Sequence, residues 1–226
     1  MTMRHLAAAL PLACLGLLGL GAGLAGCDDA EAAAVEAAFY DQENAFNRGE
    51  GAMAADLYTT ESLKIFDRLI EHALHSDEAT VRALEAAEKL EVLTMRNRCD
   101  VETLEQLDGR GWVEYFVDRG WSQYEEDPER PQYFFEIGRI RVAPDGNYAT
   151  AHTLIDGREV AEPLYFEKED GRWKRDAATE LRQLSDFVRQ WSAEVDVPID
   201  RLLLLWEAIS WSGVRRDIWE PMKKRR

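Results

Sequence analysis

Leu164-Tyr165-Phe166-Glu167-Lys168-Glu169-Asp170-Gly171-Arg172-Trp173-Lys174-Arg175-Asp176 reads as two strands folded back around a Glu-Asp-Gly turn. Bulky and aromatic residues on both sides favour extended chain, and the glycine supplies the backbone freedom a tight turn needs. The same signal recurs upstream. Tyr133–Val142, Tyr148–Ile155, Val160–Lys168 and Trp173–Asp176 read as four strands, separated by Pro144-Asp145-Gly146-Asn147, Asp156-Gly157 and Glu169-Asp170-Gly171. Short, even spacing of this kind predicts an antiparallel meander.

Ahead of the sheet the apolar period lengthens to that of helices. Val35, Ala38, Phe39, Gln42 and Phe46 share a face of a helix over Glu31–Asn47, with Gly49 just past its end. A short helix follows over Gly51–Tyr58. Thr60 is placed to cap a third, whose face is Leu63, Phe66, Leu69, Ile70 and Ala73. Ser76 or Asp77 caps a fourth from Glu78 to about Met95, and Asp100 opens a shorter one through Leu104 and Leu107. Trp112, Val113, Tyr115, Phe116 and Trp121 form an aromatic block whose spacing fits helix or strand equally. Beyond the sheet, helices are expected over Ala178–Trp191 and Ile199–Ser212, ending in the basic run Lys223-Lys224-Arg225-Arg226.

Helices followed by a bent antiparallel meander resemble the nuclear transport factor 2-like superfamily. The residues that carry the likeness are Ala45-Phe46-Asn47-Arg48-Gly49-Glu50 with Ala54-Ala55-Asp56-Leu57-Tyr58, and the hairpin Leu164–Asp176. The resemblance spans roughly residues 31 to 177. It implies an α+β cone in which helices pack on a curved sheet around a pocket, with Gly138 and unequal turns letting the sheet curl. The stretch Leu63–Trp121 is longer than such a domain usually needs, and the tail from Ala178 lies outside the likeness.

The chain opens with Arg4 and His5, then the uncharged run Leu6–Leu24, then Ala25-Gly26-Cys27. Small residues directly before a cysteine resemble the lipobox of bacterial lipoproteins. That resemblance implies cleavage after residue 26, a lipidated Cys27 as membrane anchor, and a body displayed outside the cytoplasm. Asp28 slightly favours the inner membrane. An uncleaved anchor is opposed by Gly16, Gly19, Gly21, Gly23 and Gly26, which weaken a helix, and by the acidic Asp28 and Asp29 that follow. An ordinary cleaved signal with a coincidental cysteine would still export the body. Two or more acyl chains suffice for a durable anchor. The expected division is therefore 1–26 signal, 27–177 α+β domain and 178–226 helical extension.

Composition narrows the chemistry. With 27 basic and 43 acidic side chains the net charge is −16, a field that repels nucleic-acid phosphates. Three cysteines, one in the signal and one lipidated, leave Cys99 alone, so no disulfide can form within the body. Cys99 follows Arg96 and Arg98 and is read as a small apolar residue near a helix end. His72 and His75 sit three apart on a helix among acids, which suits a solvated face better than a metal site. No phosphate-binding glycine loop or nucleophile elbow appears.

Within the implied cone, His152 is the pocket candidate, with Tyr165, Trp112 and Tyr115 as companions. The isomerases of this superfamily use a carboxylate base in an apolar cavity, and no inward strand Asp paired with a Tyr copies that pattern here. No catalytic residue, metal or cofactor is nominated. In the tail, Leu202, Leu205, Trp206 and Ile209 fit one helical face, and Trp206, Trp211 and Trp219 are candidates for docking on an envelope protein or anionic lipid. The expectation is a lipid-anchored, non-enzymatic module that binds a partner or a small apolar ligand. The alternative is a small-molecule enzyme, ketosteroid isomerase-like or related, using the cone.

Overall fold

The computed structural model describes residues 25–121, 136–155, 157–159, 162–211 and 213–225. The signal segment 1–24 and the start of the first expected strand lie outside them. The architecture is α+β. Helices α1 (Ala25–Arg48), α2 (Gly51–Asp56), α3 (Thr60–His75), α4 (Glu78–Arg82), α5 (Ala86–Arg98), α6 (Val101–Leu104) and α7 (Gly109–Asp118) precede the sheet. Strands β1 (Glu136–Val142), β2 (Tyr148–Ile155), β3 (Arg158–Glu159), β4 (Leu164–Glu169) and β5 (Arg172–Arg175) follow, then α8 (Ala177–Val195), α9 (Ile199–Trp211) and a 3₁₀ turn over Met222–Arg225. Among the described residues no helix is long and apolar enough to cross a membrane.

The sheet is the expected antiparallel meander, ordered β1-β2-β4-β5, with the short β3 paired to the end of β2. The strand expected over Val160–Lys168 is therefore shorter, beginning at Leu164. Ala149 and Ala151 of β2, Phe166 of β4 and Trp173 of β5 point to one face, and α1 lays Val35 and Phe39 across it. Small alanines in the central strand make room for the helix. Register shifts between Ile137 and Ile140 at Gly138, where an added Cβ would meet Leu154 at 3.0 Å. This bulge bends β1.

Helix boundaries follow local chemistry where caps are local. Gly49 takes φ +67° after α1, letting its N–H reach Phe46 O and that of Glu50 reach Ala45 O at 2.9 Å. Asp77, Asp100, Asp108 and Asp176 each accept a hydrogen bond from a backbone N–H in the first turn that follows. Asp108 opens α7, which takes in Trp112, Val113, Tyr115 and Phe116 of the aromatic block and leaves Trp121 in the turn after it. Two expectations change. The cap of α3 is Thr59, not Thr60: Thr59 Oγ1 accepts from Ser62 N at 3.1 Å. Thr60 instead gives its N–H and hydroxyl to the Glu169 carboxylate, tying α3 to the β4–β5 hairpin. The single helix expected from Glu78 to Met95 is also two, α4 and α5. The first turn of α5 is capped by Ser185 of α8, whose Oγ accepts from Ala87 N at 2.9 Å.

The helical body is built around α5, which is buried on nearly all sides. Close approaches hold α7 in place. A Cβ on Gly109 would lie 1.9 Å from Leu63 O of α3, and one on Gly51 2.4 Å from Glu114 O of α7. Body and sheet are joined where Thr59 N donates to Arg175 O and Arg175 N to Leu57 O. The segment from Ala177 onward is bound into this body: Ala177, Ala178 and Met222 enter one apolar cluster, and Val188, Leu203 and Ile218 another.

Candidate functional site

The four pocket candidates divide into two pairs. His152 and Tyr165 lie on the sheet face opposite α1, because the alternation that turns Ala149, Ala151 and Thr153 inward turns Thr150 and His152 outward. His152 Nδ1 stands 3.4 Å from the Glu159 carboxylate, and the Tyr165 hydroxyl accepts from Gln183 of α8. Trp112 and Tyr115 sit in the helical body instead, with ring centroids 6.5 Å apart and both within 6.3 Å of the Trp121 ring. Tyr115 pairs its hydroxyl with the Cys99 thiol. Burial, reinforced by Asp100, pushes that thiol up to about 12, so it stays protonated. Of the histidines on α3, His72 bonds to Ser76 Oγ at 2.9 Å and His75 faces Glu71.

The structure adds residues that periodicity did not single out. Glu91 of α5 lies beside the Trp112 indole, which donates to it. Burial and the neighbouring Glu207 raise its carboxyl to about 7. Glu207, from α9, is fully buried and accepts from Thr94 Oγ1 at 2.6 Å and Asn97 Nδ2 at 3.0 Å. At the joint between sheet and body, Arg175 donates to Glu180 at 2.5 Å and to Gln42 Oε1 at 2.7 Å. Burial works against the Arg175 charge, and Glu180, Tyr58 and Glu43 more than offset it. Burial raises both Tyr58 and Glu43. Gln42 is oriented by Arg175, leaving its Nε2 buried with no hydrogen-bond partner among the described residues. An acid inside an apolar run was the only sequence signal for Glu91 (Leu90-Glu91-Val92) and Glu207 (Trp206-Glu207-Ala208).

The docking candidates separate as well. Trp219 is tucked between two apolar clusters, with the Arg82 guanidinium 4.0 Å over its ring. Trp211 closes α9, and its side chain lies outside the described set, as does that of Cys27 in the first turn of α1. Trp206 is 40 % exposed, next to Leu205 at 48 % and Ile209 at 82 %. Three further large apolar residues, Phe187, Trp191 and Val195, are exposed one turn apart along α8, and the first two stack at 6.4 Å. Exposed apolar residues are ordinary singly; here they form rows on two neighbouring helices. The chain matches no protein-family model, no curated protein and no solved structure.

Proposed function

We propose that this chain is a lipid-anchored protein of the cell envelope, fixed through Cys27, whose nuclear transport factor 2-like body works by binding rather than by catalysis. The observation that carries the reading is the apolar face of the C-terminal helices. Leu205, Trp206 and Ile209 stay in solvent although α9 buries Leu202 and Leu203 against the body. Helix α1 lying across a sheet bulged at Gly138 supports the cone-like architecture. The separation of His152 and Tyr165 from Trp112 and Tyr115 argues against a catalytic centre assembled from those four.

Intact-mass measurement on protein made in its native host tests the anchor. The expected species begins at Cys27 and carries two or three fatty-acyl chains; a species beginning elsewhere, or without acyl mass, refutes it. One observation favours the enzyme reading: the half-buried Glu91 carboxyl beside Trp112 is raised to about 7, as a general acid or base requires. That reading requires turnover of a small apolar carbonyl substrate that vanishes in Glu91→Gln, and the binding reading expects no turnover in either protein.

A further inference from the structure

The C-terminal segment from Arg201 onward differs electrostatically from the rest of the chain. Residues 1–200 hold 20 basic and 40 acidic side chains, whereas residues 201–226 hold seven basic and three acidic. The fold sharpens this contrast. Both carboxylates of α9 are drawn inward. Asp200 is held by Lys89 at 2.7 Å and by Arg82, and Glu207 by Thr94 and Asn97 inside the body. The outward surface of α9 keeps Leu205, Trp206 and Ile209, with Arg201 exposed near its start and Arg216 exposed just beyond its end. Apolar and indole side chains flanked by arginines, with the acids turned away, are the chemistry of a helix lying in a bilayer interface.

Resting on the envelope-anchored reading above, we propose that the occupant of this face is the anionic surface of a lipid bilayer. Ile209 and Leu205 would enter the acyl boundary, with Trp206 at headgroup depth. Arg201 and Arg216 would meet lipid phosphates. Charge decides against a second copy of the chain as occupant, because it would bring two strongly acidic bodies together. For an anionic lipid surface the contacting patch is what counts: Arg201 and Arg216 flank the exposed row, and residues 201–226 hold seven basic side chains against three acidic. The lipid tether and the helix then act on one membrane, and the tether raises the local concentration of α9 at the leaflet.

Photocrosslinking tests this on the full chain. Benzoylphenylalanine replaces Ile209 in one protein and Arg158, at the exposed β2–β3 hairpin, in another. Each is reconstituted into vesicles of phosphatidylcholine alone or with one third phosphatidylglycerol, then irradiated. The expected result is a phospholipid adduct at 209 that is about tenfold more abundant in the anionic vesicles, with none at 158. Arg201→Glu with Arg216→Glu is expected to remove that tenfold gain. A crosslink from 209 to protein, no lipid adduct at 209, or equal yield in both vesicle types would overturn the proposal. The residue at 209 reports the helix face alone, whereas the acyl mass on Cys27 reports the anchor. Either can therefore fail without the other.

Discussion

Replacing Glu91 by Gln keeps the shape of the side chain and an acceptor for the Trp112 indole but removes the capacity for charge. The magnitude follows from the carboxyl's displacement from 4.5 to about 7. Each unit corresponds to about 1.4 kcal/mol, so a fully ionised Glu91 costs the fold about 3 kcal/mol. The folded pKa is raised, so between those two values the folded state holds a proton that the unfolded chain has released. Stability from this group is complete below about pH 4.5 and is lost as pH rises to and through about 7. At pH 8 Glu91→Gln should therefore be more stable than the parent by up to about 3 kcal/mol, and by much less at pH 4.5. For a chain of this length that corresponds to roughly 6–12 °C in Tm at pH 8. Urea unfolding followed by tryptophan emission at a series of pH values would measure it, with Trp112 as a reporter inside the site. A stability difference that does not change with pH, or a variant weaker than the parent at pH 8, would show that Glu91 is not held in a proton-retaining environment.

Other perturbations probe the joints of the fold. Arg96 donates to the carbonyls of His72, Ala73 and Ser76 at the end of α3 and to those of Ile218 and Trp219 in the tail. Arg96→Met should cost about 3–5 kcal/mol in chemical denaturation and speed amide exchange in residues 213–225, because it leaves those carbonyls short of partners. Gly109→Ala should cost about 1–3 kcal/mol, since the new methyl meets the Leu63 carbonyl, and thermal unfolding would show it. Asp176→Ala removes the side-chain cap of α8 and should lose about 1 kcal/mol in the same assay. Cys99, buried and protonated, should resist iodoacetamide at pH 8 in the folded protein and react promptly in denaturant, with mass spectrometry as the readout.

Features set by neighbours in sequence were legible without coordinates. Gly49 ended α1 where expected because the stop needs only one left-handed residue and two nearby carbonyls. The Asp-Gly signals fixed the hairpins, with Gly146, Gly157 and Gly171 all at positive φ. Long-range partners were not legible. Ser185 caps α5 from 98 residues away, and the resulting break between α4 and α5 contains no glycine or proline to announce it. Thr60 resembled a cap, but Thr59 occupies that position and Thr60 is claimed by Glu169. The candidate site divides in the same way. Helical spacing put Leu202, Leu205, Trp206 and Ile209 on one face of α9, but not the split that buries Leu202 and leaves the other three exposed; the pairing of Glu91 with Glu207 likewise required knowing that α9 returns to α5.

That return links the stability of the interior to the presentation of the surface. Helix α9 is secured by Leu203 in an apolar cluster, by the buried Leu202, and by hydrogen bonds from Thr94 and Asn97 of α5 to Glu207. Glu91 precedes Thr94 by one turn of α5, so ionising it places a second charge against the carboxylate that fastens α9. Glu91 also faces Trp112 of α7, which donates to either protonation state, and its charge reaches Tyr58, which burial keeps neutral. Neither supplies a compensating cation. The loss of stability above neutrality should therefore fall first on the α5–α9 contact. Amide exchange within α9 should quicken between pH 6 and pH 8 more than its ordinary base-catalysed rise, while exchange in α3 follows that rise alone. Glu91→Gln should abolish the excess in α9. If the excess persists in that variant, or appears equally in α3, the ionisation of Glu91 does not act through the seat of α9.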